Sequence, residues 1–79
     1  MFYIYVLRSQ KNGKRYVGQT ENLERRLLAH NSGESIYTKS GAPWALIYKE
    51  TYDTRSEAVR RELYLKTGKG REFLDNLGQ

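Results

Sequence analysis

MFYIYVLRSQKNGKRYVG, residues 1–18, is the stretch whose reading decides the fold. Two tyrosine-rich apolar runs, Phe2 to Leu7 and Arg15 to Gly18, are joined by a polar link containing Asn12-Gly13. Asn-Gly between β-prone runs is the strongest short-range hairpin signal, because a type I′ turn needs positive φ at both central residues. With Asn12-Gly13 as the turn, Lys11 faces Lys14, Gln10 faces Arg15 and Ser9 faces Tyr16. Tyr3, Tyr5, Leu7 and Ser9 share one side of their strand, since side chains alternate between faces. Tyr5 and Tyr16 then project from one face, offset by about 13 Å at about 3.3 Å per residue. A longer loop or a bulge would bring them closer. Both faces of the first strand are apolar or aromatic, which places it mid-sheet with cover on both sides.

Seventy-nine residues are the length of one domain, residues 1–79. No cysteine is present, so disulfides and thiolate metal sites are excluded. No apolar run approaches the roughly 20 residues of a membrane span, and Met1 opens directly into a strand rather than a signal peptide. The expectation is a cytoplasmic protein with no membrane partner. Fourteen Lys and Arg against nine Asp and Glu give a net charge of +5, which favours a polyanion such as nucleic acid.

Beyond the hairpin, Thr20 is the expected N-cap of a helix from Glu21 to Asn31, with Glu21 and Glu24 at the positive end of its dipole. Leu23 and Leu27 supply its buried stripe, and Arg26 and His30 stack beside it at i and i+4. Asn31 to Pro43 reads as a Gly/Ser-rich loop of the length that often serves function. Trp44 to Glu50 reads as a third strand with Pro43 at its entrance. Thr54-Arg55-Ser56-Glu57 is a capping box opening a helix to about Thr67, ended by Gly68 and Gly70. Arg71 to Leu77 forms a last short helix. The class is α+β, in the order ββαβαα.

Glu62 is the most informative residue. Ala58, Glu62 and Leu65 fall at i, i+4 and i+7, so a carboxylate interrupts an inward-leaning stripe. Such an acid is costly to bury unless it is paired or holds a cation. It either pairs with Lys66 at i+4 or serves as a lone ligand of the kind Mg²⁺ accepts. Arg26 and His30 form either a solvated helix edge or a phosphate clamp, guanidinium forking onto oxygens while imidazole moves a proton. One histidine and no cysteine make a poor zinc site. Seven tyrosines suit pleated surfaces, and Tyr5 and Tyr16 stand out only through their shared face. Arg8, Arg25, Tyr37, Lys39 and Lys66 are the candidates for holding substrate. Arg60, Arg61, Lys69 and Arg71 add scattered positive charge.

Taken together, these residues resemble the GIY-YIG nuclease domain, in its small stand-alone, excinuclease-like bacterial branch. Tyr3-Ile4-Tyr5 stands where that family has GIY, and Tyr16-Val17-Gly18 where it has YIG. Arg26 and His30 follow at family spacing, and Glu62 matches the family's metal-binding glutamate. Tyr3 replaces the first glycine, Gln19 stands where excinuclease-type members have lysine, and Asn76 does not fall at family spacing. The resemblance implies a three-stranded antiparallel sheet flanked by helices, carrying a one-metal phosphodiesterase site for DNA, with a link to DNA repair. Glu62 would hold Mg²⁺ or Mn²⁺, Tyr5 or Tyr16 would take or relay the water's proton, Arg26 would stabilise the phosphorane, and His30 would orient the water or share the proton. Two alternatives stand beside the endonuclease: a catalytically weak nucleic-acid-binding module, and a nuclease subunit whose protein partner supplies specificity.

Overall fold

A computed structural model describes residues 1–34 and 38–77 of the chain. Its elements are β1 (Phe2–Ser9), β2 (Arg15–Thr20), α1 (Leu23–Ser32), β3 (Trp44–Tyr52), α2 (Arg55–Leu65) and α3 (Gly68–Asn76), with a 3-10 turn at Lys39–Gly41. The expected ββαβαα order holds, and the sheet is antiparallel in the order β2-β1-β3. β1 is the central strand, as its two-sided hydrophobicity requires. Ile4 and Val6 pack with Val17, Ala58, Leu65 and Leu74 beneath α2 and α3. On the other face, Tyr5 and Leu7 pack with Trp44, Tyr16, Leu23 and Leu27 beneath α1.

The hairpin departs from the two-residue turn. Leu7 pairs with Tyr16 and Tyr5 with Gly18, a shift of two residues from the expected register. The loop is longer, closed by Ser9 N–H donating to Lys14 O at 2.8 Å and Gly13 N–H to Ser9 O at 2.9 Å. Within the hairpin loop only Gly13 has positive φ (76°), so the type I′ turn does not form. Ser9 is the physical reason: its Oγ accepts from the amides of Lys11 and Asn12, both at 3.1 Å, and donates to Gly41 O. Those bonds satisfy loop amides that a tight turn would have left outward, and they tie the hairpin to the loop before β3.

β3 carries a bulge opposite Val6/Leu7, where Leu46 pairs with Leu7 but Tyr48 with Val6. The extra residue flips the alternation. Trp44 therefore enters the α1 side, and Tyr48 and Tyr52 enter the α2 side. At the helices, Asn22 replaces Thr20 as the cap of α1, its Oδ1 accepting from Arg25 N–H at 3.1 Å. Thr20 instead accepts from Asn22 N–H, which sets up that cap. The Thr54–Glu57 box forms as expected. Gly68 and Gly70 lie inside α3, capped by Thr67, rather than ending α2. A Cβ at Gly70 would collide with Tyr64 O and the Leu65 backbone, so its absence lets α3 begin directly against the end of α2.

Candidate active site

The corrected register brings the phenols together. Tyr5 and Tyr16 are diagonal neighbours across β1 and β2, and their ring centroids lie 6.2 Å apart. Gly18, directly opposite Tyr5, makes this possible. A Cβ there would lie 2.5 Å from Tyr5 Oη and 2.7 Å from its Cζ, so the phenol occupies the space of the missing side chain.

α1 lays Arg26 and His30 across this face. His30 is fully buried. Its Nε2 lies 3.0 Å from Tyr5 Oη and its Nδ1 2.7 Å from Thr38 Oγ1. Thr38 is in turn fixed by Trp44 Nε1–H donating to its carbonyl at 2.8 Å. The imidazole also packs on Tyr16, centroid to centroid 4.9 Å. Burial, with the Arg26 charge nearby, holds the His30 pKa below the usual histidine value, so the ring is neutral at pH 7.

Arg26 interacts with both phenols, and its bond to Tyr5 is the main cause of its own raised pKa. Burial pushes the Tyr5 phenol up, the Arg26 bond and charge pull it down, and Tyr16 and Glu62 push it up again. Burial prevails, so Tyr5 stays protonated. Buried to 1% exposure, it needs an acceptor for its own proton. The arrangement that satisfies every group has Tyr5 O–H donating to His30 Nε2 and Nδ1–H donating to Thr38 Oγ1.

Glu62 comes from α2, beneath the other face of the sheet, yet its charge reaches the Tyr5 phenol. Its Oε2 accepts from Lys66 Nζ at 2.7 Å, and its side chain is 21% exposed. The i,i+4 pair expected from sequence is therefore made. Among the described residues no group of three or more acidic, histidine or cysteine side chains could enclose a metal ion. A single accessible carboxylate still fits Mg²⁺, which keeps most of its waters and takes one or two carboxylates.

The other candidates scatter. Arg25 is exposed on α1 beside Arg26, and Lys39 is exposed in the 3-10 turn. Arg8 pairs with Arg15 on the α2–α3 side of the sheet, away from the phenols. Lys66 lies with Glu62, and Tyr37 falls outside the described residues. Thr38 and Trp44 were not among the expected site residues. The role of Thr38 depends on where a loop brings it after α1.

The GIY-YIG catalytic domain matches residues 1–74. The chain belongs to the GIY-YIG family. That is a nuclease family whose members generally use divalent metals. A UPF0213 protein of Staphylococcus saprophyticus is 42% identical over 66 residues, covering 82% of this chain and 79% of that protein. One from Halobacterium salinarum is 37% identical over 67 residues, covering 84% and 86%. The solution NMR structure of the UPF0213 protein from Bacillus halodurans superposes with a TM-score of 0.58 at 32% identity, over 98% of this chain and 85% of that one. The three-stranded GIY-YIG fold expected from sequence is the fold found. No helix among the described residues is long and apolar enough to cross a membrane.

Proposed function

We propose that this GIY-YIG chain, as one domain over residues 1–79, is an endonuclease that hydrolyses phosphodiester bonds in DNA with a divalent cation. One observation carries the reading: four side chains from β1, β2 and α1 converge, with the Tyr5, Tyr16 and His30 ring centroids 4.9–6.2 Å apart and Arg26 beside both phenols. Tyr16, half-buried, is the phenol open to an attacking water and relays its proton. Arg26, holding both phenols, neutralises charge on the phosphorane oxygens. Tyr5 and His30 have their polar atoms turned toward one another and toward Thr38, so they act as positioning residues that keep Arg26 and Tyr16 in place. Glu62 would hold Mg²⁺ or Mn²⁺, which when bound supplies Lewis-acid polarisation of the phosphate and a more acidic water.

The test is purified protein with Mg²⁺ or Mn²⁺ against single-stranded, duplex and branched DNA. Arg26→Ala and Glu62→Ala each lower cleavage by about 10²–10³-fold, the loss seen when one oxyanion-stabilising donor is removed, with an unchanged circular dichroism spectrum. Full activity in either variant removes that residue from the mechanism. The Glu62–Lys66 ion pair favours a second reading, a binding module with weak turnover, because the carboxylate already has a cationic partner. Metal-independent retention on DNA without nicking selects it, and nicking only after a cellular extract is added selects a partner-dependent nuclease.

A further inference from the structure

A second cleft lies on the far side of β2 from the phenols. It measures about 230 Å³ and is lined by Arg15, Val17, Leu65, Lys66, Arg71 and Leu74. Three cations from three different places in the chain, β2, the end of α2 and the first turns of α3, surround an apolar floor. Bringing like charges together is unfavourable unless an anion joins them. Two are partly answered: Arg15 Nη1 meets Asp75 Oδ1 at 2.7 Å, and Lys66 Nζ meets Glu62 Oε2 at 2.7 Å. Asp75 is itself 64% exposed, which makes it a weak competitor for a phosphate. Among the described residues, no carboxylate pairs with Arg71.

The cleft also adjoins the candidate active site at two points. Lys66 is the partner of Glu62, and Arg15 precedes Tyr16 on β2 while pointing through the opposite face. A strand crossing the β2 edge therefore presents one phosphate to Tyr16 and Arg26 and another to the cleft.

We propose that this cleft is a second phosphate subsite, with Arg71 as its main contact and Arg15 and Lys66 as its walls. It rests on the phosphodiesterase reading and adds to it a grip on the strand flanking the scissile bond. As a phosphate draws Lys66 toward the cleft, Glu62 loses its ion-pair partner and becomes available to a cation.

The experiment is fluorescence anisotropy of a fluorescein-labelled single-stranded DNA oligonucleotide, in EDTA, across a salt series. Wild type is compared with Arg71→Ala, Arg71→Glu and a charge-matched control, Lys11→Ala, in the exposed hairpin loop. Arg71→Ala is expected to weaken binding several-fold and to reduce the slope of log affinity against log salt by about 0.7, the value for one phosphate contact on a single strand. Arg71→Glu weakens binding further, and Lys11→Ala keeps the wild-type slope. Arg71 is exposed, so these variants fold, as thermal melts will register. Wild-type affinity and slope in both Arg71 variants, or an equal loss in Lys11→Ala, overturns the subsite. Wild-type affinity in both Arg71 variants alongside metal-dependent cleavage by the wild type overturns the cleft and leaves the nuclease reading standing. Arg71-dependent binding without cleavage supports the cleft and overturns the nuclease reading.

Discussion

A methyl group at position 18 would have nowhere to go. It would enter the space of Tyr5 Oη, and that phenol cannot retreat because His30 and Arg26 hold it from α1. Gly18→Ala is therefore expected to cost about 1–3 kcal/mol by overpacking and to cut cleavage at least tenfold, read by urea unfolding and by the cleavage rate. Wild-type values for both would mean that Tyr5 relaxes without consequence. His30 gives a second residue-scale prediction. Its folded pKa lies below the usual 6.5, so its contribution to stability is present above that pH and is lost as the pH falls through the folded value. An NMR titration should find the ring neutral at pH 7 and protonating only below 6.5, while titration above 6.5 would refute the buried, neutral assignment. The grouping of Tyr5, Tyr16, Arg26 and His30 was legible because their spacing resembles a family pattern. Thr38 was not, because its hydroxyl acquires meaning only through the fold that carries it to His30 Nδ1.

At the scale of elements, propensity located every strand and helix but misjudged their joints. Asn12-Gly13 has the composition of a tight turn, yet the Ser9 hydroxyl competes for the loop amides and shifts the register by two residues. That shift is what makes Tyr5 and Tyr16 neighbours. Gly68 and Gly70 resemble a helix stop, but the close approach of α3 to α2 selects Gly70 for its small size. The bulge in β3 was equally hidden, and it creates a polar cluster that periodicity did not announce. Arg61 donates to Glu50 through Nε at 2.9 Å and Nη2 at 3.0 Å, while the hydroxyls of Tyr48 and Tyr52 donate to the same carboxylate. Burial opposes ionisation of Glu50, but Arg61 and the phenols outweigh it and hold its pKa below 4.5. Stability from this cluster is thus complete above pH 4.5 and drains as the pH falls through the lowered value. Arg61→Ala should cost about 1.5–3 kcal/mol at neutral pH, as expected for hydrogen bonds to a charged group, and should flatten the acid limb. Urea midpoints across acid pH will measure both, and an unchanged acid limb would show that Glu50 is not the group responsible.

The whole molecule is a sheet held between α1 on one side and α2 with α3 on the other, and each layer covers phenols, fully for Tyr5 and partly for Tyr48 and Tyr52. Tyr5 lies in the α1 layer, Tyr48 and Tyr52 in the α2 layer, and all three have raised pKa values with burial as the leading cause. Glu50 adds repulsion for the second pair, and Tyr52 is pushed up to about 12. Each phenolate would have to form against its surroundings, so the folded state binds these protons more tightly than the unfolded chain. Their contribution to stability is full below pH 10 and is lost as the pH rises through the folded values, which for Tyr52 is about 12. A chain of 79 residues buries a small core and has little stability in reserve, so both layers should fail together rather than in turn. The expected outcome is a urea midpoint that holds up to about pH 10 and then falls toward pH 12, with part of the tyrosinate absorbance rising in step with the loss of far-ultraviolet circular dichroism. Tyr52→Phe removes one ionising group and makes that alkaline fall shallower. Tyrosinate absorbance completing near pH 10 with the circular dichroism intact would mean the phenols ionise inside the folded protein, and the account of both layers as proton-holding cores would be wrong.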